Sequence, residues 1–220
     1  MIELLIVIAC LGILAALLLP ALARPKVYAQ KINCVNNLKQ VGVAFRTWAL
    51  DFGDKYPPQV SITNGGTMEL VNSGTVYLHY QVMSNELSTP KILVCPEEAA
   101  RQRWTANTFG LGVPGEHNCI PFSSNTNVSY FVGIDAVDTS PSMFLSGDAN
   151  IGVDGALPKT GLQSFSTNSN IGWYQPRHEK GKKGNIGLAD GSVQVFDSKE
   201  LRKALFASGV TNRLAMPAFP

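Results

Sequence analysis

The stretch MIELLIVIACLGILAALLLPALA (residues 1–23) decides how the rest of the chain is read. Twenty of its 23 residues are apolar, and Glu3 is its only charge. Leu4–Leu22 carries no charge over 19 residues, close to the roughly 20 that a helix needs to span a bilayer. The 220-residue chain has 18 Lys+Arg against 16 Asp+Glu, for a net charge of +2, with 45% apolar and only 15% charged residues. Setting the first 23 residues aside leaves 33 charges in 197 residues, about 17%, a more ordinary composition for a folded domain. These numbers exclude a disordered chain, a collagen-like chain and a disulfide-dense scaffold. They predict one membrane-competent helix (1–23) ahead of one water-facing domain.

Three readings of that segment stand side by side. A cleaved secretory signal fits Ala21-Leu22-Ala23 as a small-residue site, but there is no basic region before the apolar run, which also exceeds the usual length. In a plain signal anchor, Arg24, Lys26 and Lys31 after the helix would hold the domain in the cytoplasm. The third reading places a basic leader before Met1, removed from the mature chain.

Beyond the apolar run the helix continues. Cys34, Leu38, Val41, Phe45, Trp48 and Phe52 recur at three- and four-residue spacing, the stripe of an amphipathic helix. Gly53 and Pro57-Pro58 end it, so 24–53 reads as an amphipathic continuation. Residues 54–220 read as an α+β domain, mostly β. Val76–Met83 fits a short helix or a strand; Ile92–Cys95, Val128–Ile134 and Met143–Ser146 have strand composition. Asn185–Ala189 and Ser192–Phe196 flank Asp190-Gly191, which predicts a hairpin with a two-residue type I′ turn. A last helix is expected from Ser198 through Ala207, stopped near Gly209.

Ile2-Glu3-Leu4-Leu5-Ile6-Val7-Ile8-Ala9 resembles the N-terminus of type IV pilins and type II secretion pseudopilins. Cys34-Val35-Asn36-Asn37-Leu38-Lys39-Gln40 is similar to the following segment of a pseudopilin group that ends in an H-x9-D-G motif. Here His178 and Asp190-Gly191 are the counterparts, with 11 residues between them instead of nine. Leu93-Val94-Cys95-Pro96 and Ser129-Tyr130-Phe131-Val132-Gly133 also look like members of this group. The resemblance implies a pilin-like α+β fold: a long N-terminal α-helix, membrane half plus amphipathic half, packed on a C-terminal antiparallel β-sheet. It implies a structural subunit of a secretion pseudopilus or type IV pilus-like filament. Its leader would be removed by a prepilin peptidase and its new N-terminus methylated. The implied partners are copies of itself and other pilins, inner-membrane assembly machinery and the lipid bilayer. The implied place is the bacterial inner membrane, with the domain periplasmic or in an extracellular filament. Glu3 would pair with the N-terminal amine of a neighbouring subunit, and Pro20 would loosen the helix during assembly; on physical grounds alone Glu3 is also favoured by the helix dipole. A different class remains open: a membrane-anchored periplasmic binding module that never polymerises.

The residues give no catalytic set. Three histidines (His79, His117, His178) stand without a Gly-x-Ser-x-Gly, His-Glu-x-x-His or Walker-type motif, so an enzyme is not expected. Cys34, Cys95 and Cys119 are disulfide candidates, with Cys34–Cys95 tying helix to sheet preferred over Cys95–Cys119, and Cys10 read as an apolar filler. Zinc at Cys95, His117 and Cys119 lacks paired Cys-x-x-Cys spacing. The acidic middle of the chain makes Asp135, Asp138 and Asp148 candidates for a structural calcium, the one cofactor considered. Arg177, His178, Lys180, Lys182 and Lys183 form a basic run with no interleaved aromatic residue, so a solvated loop is expected and nucleic acid is not.

Overall fold

The computed structural model describes residues 2–99, 103–110, 119–174 and 183–217, with the side chains of 5, 15, 17–27 and 99 outside the description. Helix α1 is Ile2–Asp51. It is followed by α2 (Val76–Gln81), α3 (Ser84–Leu87) and α4 (Pro96–Ala99), with 3-10 turns between them. The strands come next: β1 (Tyr130–Gly133), β2 (Phe144–Asp148), β3 (Ile151–Val153), β4 (Gly161–Phe165), β5 (Ile171–Trp173), β6 (Lys183–Leu188) and β7 (Val193–Asp197). Helix α5 (Ser198–Ala207) and strand β8 (Asn212–Met216) close the chain.

Six strands form one sheet in the order β4-β8-β1-β2-β6-β7, and β3 pairs with β5 in a second, two-stranded sheet. Every pairing between these strands is antiparallel, and one isolated parallel bridge joins Thr108 and Pro121. The C-terminal strand β8 enters the middle of the sheet, between β1 and β4. Strand alternation sends side chains to two faces. Tyr130, Val132, Leu145 and Ala215 join the α1 side, packed with Cys34, Leu38, Val41, Phe45 and Trp48. Phe131, Phe144, Ile186, Leu214 and Met216 join the other side, under Leu201 and Leu205 of α5 and Ile151, Ile171 and Trp173 of the small sheet. The β1–β2 approach needs a glycine: a Cβ on Gly133 would sit 1.9 Å from the Phe144 carbonyl oxygen.

The pilin-like arrangement expected from the sequence is corrected here. Among the described residues no helix is long and apolar enough to cross a membrane. The long N-terminal helix with a membrane half is therefore not the architecture shown, and the single-pass inner-membrane location falls with it. What the fold holds firmly is the α1 segment from Cys34 to Ala49, which is buried along one face. The α+β class and the antiparallel pairing stand as described.

The region 54–127 differs from its mostly-β expectation. Ile92–Cys95 is not a strand: Thr89 caps a 3-10 turn over Pro90–Leu93, its hydroxyl accepting from Lys91 N at 3.4 Å, and Pro96 opens α4. Two prolines at turn starts fix φ near −65° and remove ladder donors, which outweighs the β-propensity of the apolar residues between them. Val76–Gln81 takes the helical alternative.

Inside this region His79 is buried, and its Nδ1 hydrogen-bonds Thr67 Oγ1 at 2.6 Å. Burial lowers its pKa from 6.5 to about 4. Between those values the unfolded chain takes up the proton first, so stability is present above pH 6.5 and falls as pH drops towards 4. The loss expected from this group is about 3 kcal/mol. Urea unfolding of the wild type and of His79→Gln from pH 7 to pH 4 measures it, and the difference between the two curves should narrow by that amount.

Candidate functional site

Helix α1 carries both candidate regions, one at its start and one where it seats on the sheet. At the start, Ile2, Leu4, Ile6, Val7, Ile8, Leu11, Ile13 and Leu14 are all more than half exposed, and Glu3 lies among them in the first turn. These positions go all the way round the helix, so no single stripe has been left bare. A helix apolar on every side belongs inside other protein or another apolar phase. Pro20 lies within α1, and its side chain is outside the described residues.

At the seat, α1 meets the turn between β6 and β7. Leu188 N donates to Ser192 O and Gly191 N to Leu188 O, both at 2.9 Å. The connection is thus a three-residue loop, Ala189-Asp190-Gly191, with only Gly191 at positive φ (+82°). A type I′ turn needs positive φ at both central residues, and Asp190 does not adopt it, so that expectation is corrected. A type I turn closed by a left-handed glycine takes its place, and Asp190 supports it by accepting from Ser192 N at 2.8 Å.

The turn rests directly on the helix. Arg46 donates from Nη2 to the Ala189 carbonyl at 3.2 Å and to Asp138 Oδ1 at 2.8 Å. Tyr56 Oη donates to the same carbonyl at 3.4 Å. A Cβ on Gly42 would lie 3.9 Å from the Gly191 Cα, and one on Gly191 would lie 3.4 Å from Arg46 Nη1. Asp190-Gly191 thus brings a hairpin tip and a helix to within backbone contact. The motif's third member, His178, lies outside the described residues, as do Arg177, Lys180 and Lys182 of the basic run. Beside the turn, Arg46, Ala49, Leu50, Asp54, Tyr56 and Asp138 line a groove of about 170 Å³, too small for more than a few waters or a side chain.

Beneath the seat is a buried polar centre. Asp148 is fully buried and its Oδ2 accepts from Asn185 N at 2.8 Å and Asn185 Nδ2 at 3.0 Å. Tyr80 Oη donates to Phe131 O and accepts from Ser146 Oγ, both at 2.9 Å. Cys95 N donates to Ser129 Oγ at 2.9 Å, and the thiols of Cys34 and Cys95 are in hydrogen-bonding contact. Burial is the main force raising the Tyr130 hydroxyl well above its usual pKa.

The three calcium candidates are engaged separately. Asp135 receives Arg213 Nε at 2.8 Å, Asp138 receives Arg46, and Asp148 receives Asn185. Among the described residues no group of three or more His, Cys, Asp or Glu is placed to hold a metal. Of the zinc set, His117 lies outside the described residues and Cys119 is part-exposed. Sequence reading missed Arg46 as the residue that reads the hairpin tip. A lone cation on a helix face gives no pattern, and its partner is a carbonyl 143 positions away.

No family model, curated protein or solved structure matches the chain. The reading of the site therefore rests on its own geometry.

Gly191→Ala should cost roughly 1–2 kcal/mol, because a Cβ is strained at positive φ and presses on Arg46. Gly191→Asn, which tolerates the left-handed region better, should cost less. Urea midpoints of the two variants against the wild type check the order.

Proposed function

We propose that the chain is a structural subunit that assembles with copies of itself into a pilus-like or secretion-pseudopilus-like filament, through the apolar start of α1. The carrying observation is the exposure of the described apolar side chains from Ile2 to Leu14, on every side of a helix whose later part is seated on one face of the sheet. Burying one such side chain in a helix–helix contact stabilises by roughly 1.5–3 kcal/mol, so a handful covered by neighbouring helices drives association in the micromolar range or tighter after the costs of ordering. The resemblance of Ile2–Ala9 to pilin N-termini points the same way. It also gives Glu3 its role: a carboxylate among apolar helices needs a cationic partner, and a neighbouring subunit's N-terminal amine supplies one. The reading is non-catalytic and needs no cofactor. The domain then forms the outer surface, with the Arg46 seat transmitting load from hairpin to helix.

Sedimentation and electron microscopy test this. The full chain should associate into ordered filaments. Ile8→Asp with Leu11→Asp should weaken association on the order of 100-fold, since buried unpaired charges oppose packing. The melting of the domain should not move, because both positions are exposed. Glu3→Ala should leave apolar association but disorder the product. A wild-type chain that stays monomeric at high concentration overturns the proposal and favours a non-polymerising binding module.

A further inference from the structure

Cys34 lies on the inner face of α1 and Cys95 at the junction between the Pro90–Leu93 turn and α4, and both are 0% exposed. They are 61 positions apart in sequence and in the same core cluster. Helix α1 packs directly on that turn and on α4, and the Cys95 backbone is fixed by its bond to Ser129 Oγ. Both are free thiols in this structure, and their side chains lie within hydrogen-bonding reach of each other across the contact of α1 with the Pro90–Leu93 turn and α4. The other cysteines are placed differently. Cys10 is exposed on the apolar start of α1. Cys119 is part-exposed in a separate segment, next to Ile120, whose N–H donates to Asn107 Oδ1 at 2.9 Å.

We propose that Cys34 and Cys95 are the site of an intramolecular disulfide, formed while the chain folds by exchange with a disulfide-bonded donor, and that it fastens α1 to the domain. The exchange balances in two steps. The Cys95 thiolate attacks one sulfur of the donor disulfide, giving a mixed disulfide and releasing one donor thiol. The Cys34 thiolate then attacks the Cys95 sulfur, forming the Cys34–Cys95 bond and releasing the second donor thiol. The two cysteines lose two electrons and two protons, and the donor gains them.

The timing follows from burial. In the folded chain the hydrogen bond with Cys95, and after it desolvation, hold the Cys34 thiol protonated far above its usual range. A protonated thiol with no solvent access neither attacks nor is attacked. Oxidation therefore belongs to the folding chain, before the core closes, and the finished bond is shielded from reductants by the same burial. Fastening here has a mechanical meaning as well. Among the described side chains of α1, Cys34 is the first buried one, so a covalent link there sits where the helix begins to be held. The proposal stands on the core geometry and does not depend on the filament reading.

The experiment refolds the full reduced chain in a mixture of glutathione disulfide and glutathione, alkylates residual thiols, and maps peptides without reduction. The expected product is a Cys34–Cys95 linked peptide with Cys10 and Cys119 alkylated. Its melting temperature should stand roughly 10 °C above that of the same chain refolded in reductant, from closure of a long loop. Cys119→Ser should keep both results, which needs no substitution in the core. Glutathione disulfide added to the already folded, reduced chain should oxidise the pair on the order of 100-fold more slowly than during refolding. Alkylation of both Cys34 and Cys95 after oxidative refolding, a Cys95–Cys119 link in their place, or a link without a rise in melting temperature would each overturn the site. Equal rates in the folding and folded chains would overturn the order of events.

Discussion

The packing of one face of α1 against the sheet is the contact on which the other elements depend. Leu38, Val41, Phe45 and Trp48 are at most a few per cent exposed, and burying each contributes roughly 1.5–3 kcal/mol. Together that is comparable with the whole net stability of a typical domain. Their partners are Tyr130, Val132 and Leu145 of the central strands, and Tyr56, Tyr80 and Leu93 from the turn-rich region between helix and sheet. Phe45 sits at the centre of an edge-to-face arrangement with Tyr56 at 5.6 Å and Tyr80 at 6.0 Å between ring centres. The described residues between 54 and 127 form no named strand, so they are held by what they touch on α1 and by their own turns. The helix acts as the template on which that region takes shape.

This dependence explains which parts could be read ahead. The stripe Cys34, Leu38, Val41, Phe45 and Trp48 is buried as its periodicity demands, because a helix that faces a core shows its period whatever lies opposite. Helix α5 was equally plain: Asp197 accepts from Lys199 N and Glu200 N while Glu200 returns a bond to Asp197 N, a local capping box that needs no distant partner. Strand β8 had no such signal. Asn212–Met216 contains no β-branched residue, and only pairing with β1 and β4 makes it a strand. Ile92-Leu93-Val94 misled for the opposite reason, since strand composition there is overruled by Pro90 and Pro96. The membrane half of the N-terminal helix misled in a third way: uncharged length was legible in the sequence, but the described helix does not meet the length and apolarity that a crossing requires.

The candidate site was half legible. Asp190-Gly191 announced a turn, and a turn is there, but its shape and its role come from outside it. Gly191 adopts φ +82° and leaves space that Arg46 occupies, so the glycine serves the helix as much as the hairpin. The exposed Arg46–Asp138 pair adds at most about 1 kcal/mol. The bond from Arg46 to the Ala189 carbonyl does more for specificity, since it sets which residue of the helix faces the tip. A one-residue slip of α1 would rotate Arg46 by about 100° and remove both contacts.

The same register argument joins the two ends of the buried face. Arg46 fixes α1 near its C-terminal end by hydrogen bonds, and Cys34 meets Cys95 about three turns earlier. Two anchors on one rigid helix determine both its rotation and its axial position, whereas apolar packing alone tolerates small slides at modest cost. Between the anchors lie the large side chains whose interdigitation would be lost in any slide. Ahead of Cys34 no buried position constrains the described part of the helix, and that is where the apolar surface is exposed. The described side chains at the start of α1 are exposed while the later segment is held against both rotation and sliding where it is seated. Gly42, which faces the Gly191 backbone, Arg46, which reads the hairpin tip, and Cys34, which faces Cys95, all lie in that segment.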